Sequence, residues 1–389
     1  MRLLHTSDWH LGRSFHRESL HEAQRAFLDH LVAVVQAHGV DAVLVAGDVY
    51  DRALPGLDAV ALFDEVLHEL AELGVPTVFI SGNHDSARRL GVGAGLIQRA
   101  GIHLRTDPDS CGTPVLLADQ HGPVAVYGLP YLEPALVRER FGLARGGHAT
   151  VLGAAMDQVR ADLAARTAGT RAVVLAHAFV TGGAPSDSER DIAVGGVASV
   201  PASVFDGVHY AALGHLHGAQ TLAPHLRYSG SPLAYSFSEA RQRKTMWLVD
   251  LAADGEVSAE RIDCPVPRPL ACLRGRLDEL LEDPELTAHE QSWVQVTLTD
   301  PGRPSEPMER LRRRFPHTLQ LLFEPEEQPA EGPVSYAARV RGRGELEVAE
   351  SFVRHVRPGI ELARGERDWL RTGFETVRMD QHGRAELSG

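Results

Sequence analysis

Short apolar runs recur along the first 220 positions of the chain, at 3–4, 42–46, 75–80, 172–176 and, more weakly, 210–213. They read as strands buried on both faces. Each is followed closely by glycine, a carboxylate or histidine, so a strand edge there would carry polar side chains. Between the runs, apolar positions shift to helical spacing over 22–36, 57–73 and 154–168. Strands alternating with amphipathic helices predict layered α/β architecture with helices covering a sheet, to about residue 265.

Pro265, Pro267 and Pro269 then punctuate the chain. Proline at alternate positions holds an extended backbone, which puts a boundary near residue 266. Residues 269–323 read as a small β-α-β-α-β unit, with strands at 270–273, 293–298 and 318–323 and helices around 277–281 and 308–315. The Glu/Pro-rich stretch 324–333 has too little apolar content to pack and reads as a mobile tether. Beyond it, Leu346, Ala349, Phe352, Val353 and Val356 share one helical face, Pro358-Gly359 break the pattern, and Leu370, Phe374 and Val377 form a second stripe. Two such helices have little core of their own to cover.

The composition changes this picture in three ways. No apolar stretch approaches the roughly 20 residues of a membrane span, and the N-terminus carries no secretory pattern, so the expected location is the cytoplasm, with no membrane contact. Cys111, Cys264 and Cys272 are far apart and lack metal-site spacing, which reads as packing rather than a disulfide framework. The net charge of −13 argues against a surface that grips nucleic acid as a whole; a polynucleotide must be held by a local patch, by metals or by a partner. Lys244 is the only lysine, so nearly all positive charge is arginine.

The polar residues that follow the apolar runs carry the chemistry. They are Asp8-Trp9-His10, Gly47-Asp48, Gly82-Asn83-His84-Asp85, His177 and Gly214-His215-Leu216-His217. In extended backbone, Asp8 and His10 point to the same side, as do His215 and His217, and each pair could chelate an ion. Asp48 can bridge two cations, and Asn83 offers a neutral oxygen. His84 would face substrate and protonate a leaving oxygen or stabilise charge at phosphorus, with Asp85 accepting from its imidazole and fixing its orientation. Any one block alone is more often a turn, a cap or a packed histidine; all five in one chain point to a site. Three carboxylate or amide oxygens with four imidazoles suit octahedral Mn2+ best, with Fe2+, Zn2+ or Mg2+ as alternatives. Two such ions polarise a phosphodiester and bring water's pKa towards neutrality, so the expected reaction is metal-assisted phosphoester hydrolysis.

These blocks, with Thr6-Ser7-Asp8-Trp9-His10-Leu11-Gly12, Ala46-Gly47-Asp48-Val49-Tyr50-Asp51, Arg227-Tyr228-Ser229-Gly230-Ser231-Pro232 and the segment 186–196, closely resemble the SbcD family of bacterial nuclease subunits in the calcineurin-like metallophosphoesterase superfamily. The resemblance implies a two-layered β-sandwich flanked by helices over 1–266, a small α+β capping domain over 267–324, a linker over 325–335 and a helical segment over 336–389 that docks on an SbcC-type ATPase. It implies that Asp8, His10, Asp48 and His217 hold one ion, that Asp48, Asn83, His177 and His215 hold the other, and that His84 is the unliganded catalytic histidine. It implies a homodimer, assembled with the ATPase into a heterotetramer, that cleaves DNA ends and hairpins in double-strand break repair. The archaeal and eukaryotic branch carries a histidine where this chain has Asp51; Arg52 or His16 could approach the phosphate chain instead. A stand-alone phosphatase or cyclic-nucleotide phosphodiesterase of the same fold is the alternative function, and a scaffold with a structural metal is a third.

Overall fold

A computed structural model describes residues 1–190, 199–326, 342–357 and 362–386. The tether from 327, the tail through 341, the Pro358-Gly359 break and the 191–196 part of the motif starting at Ser186 lie outside these. The chain divides into two units, Met1–Ala271 and Cys272–Gly389.

Two six-stranded sheets build the first unit. One runs in the order Val257–Asp263, Thr245–Leu251, Arg2–Thr6, Ala42–Ala46, Thr77–Ile80, Ile102–Arg105. The other runs Gln220–Ala223, Leu226–Tyr228, Tyr210–Gly214, Arg171–His177, Gly122–Leu129, Val115–Asp119. Strand periodicity sorts the side chains into three layers. Leu3, Ala42, Leu44, Val78 and Ile80 meet Val124, Val126, Val173, Leu175 and Ala212 between the sheets. Leu4, Val43, Val45 and Phe79 face the other way, onto Phe27, Leu31, Leu62 and Val66 of helices His21–His38 and Leu57–Glu72. Ala172, Val174 and Ala176 cover the outer face of the second sheet with Val151, Ala155 and Val159 of helix His148–Ala164. Helices on both outer faces explain why strands such as Ala42–Ala46 are apolar at every position instead of alternating.

Parallel pairing aligns the strand ends. Thr6 is in register with Val45, Ala46 with Ile80, and Gly214 with His177. Each sheet therefore presents the C-terminal ends of its central strands along one edge, where a parallel sheet gathers its loops. The outer strands Thr245–Leu251 and Val257–Asp263 were not anticipated; they pair antiparallel beside Arg2–Thr6, at the far end of the unit's sequence.

A three-stranded sheet that begins at the boundary between the units runs Leu270–Gly275, Trp293–Leu298, Thr318–Phe323, with helices Leu277–Glu282 and Pro307–Arg314. Val294, Val296, Leu298, Leu311 and Phe315 form its small core. The tail consists of helices Glu345–Val356 and Arg364–Glu386. Cys111 and Cys264 are buried, whereas Cys272 is exposed, contrary to the packing role expected of all three. Among the described residues, no helix is long and apolar enough to cross a membrane.

Candidate metal centre

The extended backbone expected at Asp8 to His10 and at His215 is not what forms. Asp8 (φ 53°), His10 (φ 45°), Asp48 (φ 49°) and His215 (φ 103°) all lie in the left-handed region. Such conformations cost a non-glycine residue on the order of 1–3 kcal/mol each and persist only where surrounding contacts impose them. Here two loops are tied together: Asp8 N donates to Gly47 O at 3.0 Å and His10 N to Asp48 O at 3.0 Å. Trp9, fully buried, pins the first loop and donates from Nε1 to Thr6 Oγ1 at 3.0 Å. Glycines permit the close approach. A Cβ at Gly214 would stand 1.9 Å from Ala46 O, one at Gly82 would stand 2.1 Å from Asp48 Oδ1, and one at Gly47 would stand 2.5 Å from His177 Nδ1.

The loops bring the predicted residues into one buried cluster. Asp8, His10 and His217 offer ligand atoms within 4.8 Å of one another; so do Asp8, Asp48 and His177, and so do His10, Asp48 and His84. His10 Nε2 faces His217 Nε2 at 3.1 Å. Asn83 Oδ1 lies 2.9 Å from His177 Nε2 and 3.3 Å from His215 Nδ1. The Asp48 carboxylate stands between these groups, with Oδ2 3.7 Å from His10 Nε2 and 3.4 Å from His177 Nε2. Its other oxygen accepts from His84 N at 2.8 Å. Asp8 accepts from His215 N at 3.0 Å and from Ser7 Oγ.

The donor set demands positive charge. His177 Nδ1 lies 2.9 Å from Ala46 O and must carry the hydrogen there, which leaves Nε2 with a lone pair aimed at Asn83 Oδ1 and Asp48 Oδ2. Acceptors facing acceptors in a buried pocket repel unless a proton or a cation lies among them. On protein groups alone, the strain appears in the acidities. Burial pushes the Asp8 carboxyl up to about 6 against the pull of His177 and His217, while Asp48 outweighs burial at His177 and holds that imidazole up to about 9. Burial also lowers His215 to about 3, which keeps it a neutral donor. Two carboxylates, an amide oxygen and four imidazoles converging this way fit a pair of divalent cations, and neither thiolate nor all-oxygen chemistry applies.

His84 is 8% exposed, at the mouth of the cluster. The contact expected between it and Asp85 does not form. Asp85 accepts from Val49 N at 3.1 Å, Tyr50 N at 2.9 Å and Gly82 N at 2.9 Å, so three backbone donors occupy its carboxylate and it ties the Asp48 loop to the Asn83 loop. His84 is oriented instead by its Nδ1 bond to Asp51 O at 2.7 Å. Burial lowers its pKa, with Asp48 opposing.

Arg52 is 67% exposed beside Asp51, and nearer the centre are two arginines the sequence did not distinguish. Arg13 stacks over Tyr235 at 4.8 Å and donates to Ser188 O at 3.1 Å; Arg190 donates to Asn83 O at 3.3 Å. Ser188, Glu189, Glu239 and Lys244 close the back of His217, and the sequence assigned none of them that role. Each is a single polar residue outside any strand-end pattern, although Lys244, as the chain's only lysine, was a signal in plain view.

Residues 1–219 match the family model for calcineurin-like phosphoesterases. Residues 266–357 match the SbcD C-terminal model, described as the type 5 capsule protein repressor C-terminal domain. Among solved structures, TT1561 of Thermus thermophilus aligns at 14% identity and TM-score 0.39, covering 67% of this chain and 98% of its own. GAP50, the anchor in the inner membrane complex of Plasmodium, aligns at 9% and 0.39, covering 86% of this chain and 99% of its own. A dimetal phosphatase from Danio rerio aligns at 15% and 0.33, covering 59% and 86%. At these scores the structural likenesses decide nothing about substrate. The match over 1–219 covers more than half the chain, and the cluster lies at the strand ends within it. The chain therefore belongs to the calcineurin-like phosphoesterase family, is of its SbcD type, and is a metal-dependent phosphoester hydrolase.

Proposed function

We propose that this chain is a two-metal DNA endo- and exonuclease that opens ends and hairpins during double-strand break repair, working with an SbcC-type ATPase. The observation that carries the chemistry is the Asp48 carboxylate set between two groups of inward-facing donors. In this reading Asp8, His10, Asp48 and His217 hold one Mn2+, and Asp48, Asn83, His177 and His215 hold the other. When bound, the ions supply Lewis acidity at the phosphoryl oxygens and lower the pKa of water. The chain's own groups do the rest. With Nδ1 committed to Asp51 O, His84 presents Nε2 as the atom that exchanges a proton with the departing ester oxygen. Asp85 keeps the Asp48 and Asn83 loops in register and has no part in proton transfer. Arg13 and Arg190, both beside the ligands, supply the local cations that phosphates need on an otherwise acidic protein.

The domain plan in this reading is a nuclease domain over 1–266, a capping domain over 267–324, a linker over 325–335 and a partner-docking segment over 336–389. The match to an SbcD-type C-terminal model supports the DNA and ATPase assignments, because a small-molecule hydrolase has no need of that region. Exposed Leu54, Leu57, Val60, Val92 and Leu96 support a homodimer formed through helix Leu57–Glu72 and the segment of two short helices, Ala87–Leu90 and Ala94–Ile97.

The test is cleavage of hairpin and blunt duplex DNA by the full chain with manganese or magnesium, with and without the ATPase and ATP. Manganese-dependent cutting, changed by ATP when the partner is present, is expected. Turnover of a small phosphodiester with no DNA cut under any condition would replace this reading with the small-molecule phosphodiesterase.

A further inference from the structure

Behind His217, on the side away from the other ligands, lies a buried chain of polar groups. Lys244 Nζ donates to Glu239 Oε2, to His217 O at 3.0 Å, to Ser231 Oγ at 3.0 Å and to Gln242 Oε1 at 2.9 Å. Glu239 is fully buried, and its other oxygen, Oε1, accepts from Ser188 Oγ and lies 3.5 Å from His217 Nδ1. Ser188 Oγ stands 2.5 Å from His217 Nδ1, and His217 N donates to Glu189 Oε1 at 2.8 Å.

The hydrogens can be ordered in one direction. Lys244 is a donor only, so Glu239 is its anion; Glu239 then draws the Ser188 hydroxyl hydrogen, and Ser188 Oγ is left to accept from His217 Nδ1–H. The Nε2 lone pair consequently points at His10 and the rest of the cluster. A buried pair such as Glu239 with Lys244 is costly to desolvate, which simple packing does not require. Other imidazoles of the cluster are held differently. His177 Nδ1 meets a backbone carbonyl, and His10 Nδ1 has no hydrogen-bond partner among the described residues.

We infer that Glu239, Ser188 and Lys244 are positioning residues that set the tautomer and donor strength of His217, so that one of the two cation sites depends on a carboxylate drawn from a distant segment of the chain. The inference rests on the reading of His217 as a ligand. Carboxylates acting through a metal-bound histidine's second nitrogen typically change affinity by about 10- to 100-fold.

The experiment titrates metal-free full-length protein with Mn2+ by calorimetry, comparing wild type with Ser188→Ala, with Glu239→Gln combined with Lys244→Met, and with His217→Ala. The double variant removes both charges together and leaves no orphan ion. If it fails to fold, by near-ultraviolet circular dichroism, Ser188→Ala carries the test alone. Two sites are expected in wild type. One site should weaken about 10- to 100-fold in Ser188→Ala and in the double variant while the other keeps its affinity, and Ser188→Thr should restore it. Loss of one site in His217→Ala, with wild-type affinities in the other variants, would overturn this inference and leave the ligand set standing. Two unaltered sites in His217→Ala would overturn both. A lower melting temperature with unchanged manganese affinity would make the network merely structural and would also sink the idea.

Discussion

In the first unit, polar side chains are buried together; in the tail of the second, apolar side chains stand in the open. Asp8 and His10 are 0% exposed, yet Trp369 is 80% exposed and Phe352 51%. A cavity of about 570 Å3 between the tail helices is lined by Val353, Leu362, Trp369, Leu370, Phe374 and Val377, although only Leu362 among them is buried. Both arrangements are unfavourable in isolation, for opposite reasons. A desolvated cluster of acceptors lacks countercharge, and an apolar groove lacks cover. Each departure from ordinary packing marks where something from outside the chain is needed: cations in the first unit and, in our reading, an ATPase helix in the second.

That contrast can be broken at several points. The largest effect is expected from Asp48→Ala, which removes the group between the two sets of donors; manganese-dependent cleavage should fall below detection while thermal unfolding stays cooperative. Retained cutting would remove Asp48 from the centre. His84→Ala should next cost about 10²- to 10⁴-fold in kcat, with both ions still present by elemental analysis. Loss of an ion in that variant would make His84 a ligand.

Away from the centre, Asp119 accepts from buried Arg171 and pairs with the Met1 ammonium at 2.9 Å. Asp119→Ala strands the Arg171 charge and should lower unfolding stability by about 3 kcal/mol in urea titrations. Arg171 first, then the Met1 ammonium, holds the Asp119 carboxyl far below its ordinary 3.8. A group depressed in the folded state contributes fully above its unfolded value, so the wild type's advantage over the variant should be complete above about pH 4 and fade as pH falls further. An advantage that grew on acidification would contradict the pairing. The smallest effect on the chain itself is expected from Trp369→Asp. Stability should move by no more than about 0.5 kcal/mol and basal hydrolysis should not change, yet co-purification with the ATPase should fail. Undiminished capture would end the docking role of the groove.

Much of this was legible in the sequence. Residues 42–46 form a strand at the expected limits because an unbroken run of alanine, valine and leucine leaves few alternatives, and 293–298 do so because Val294, Val296 and Leu298 alternate with less apolar positions. The clustering of the polar blocks was legible for a related reason, since they sit where those strands stop. The left-handed turns at Asp8, His10 and His215 were not, because nothing in those residue types announces positive φ and only the paired loops impose it. Asp85 was placed on its neighbour His84 by proximity in sequence, whereas three backbone donors in two loops outcompete that contact. Glu239 escaped notice, and Lys244 was noted only as the sole lysine, because their meaning depends on His217 and Ser188, 22 and 51 positions away from Glu239.

The glycines at 47, 82 and 214 set a limit on how this protein can be reshaped. A side chain on any of them would collide with backbone or with Asp48 or His177 within 3 Å, so the floor is fixed by the absence of atoms, not by any contact that could be traded for another. A saturation library across the pocket should tolerate variety in the walls and return only the parental residue at these three positions. A designer who wants a new specificity from this scaffold has the rim to work with and must inherit the base unchanged.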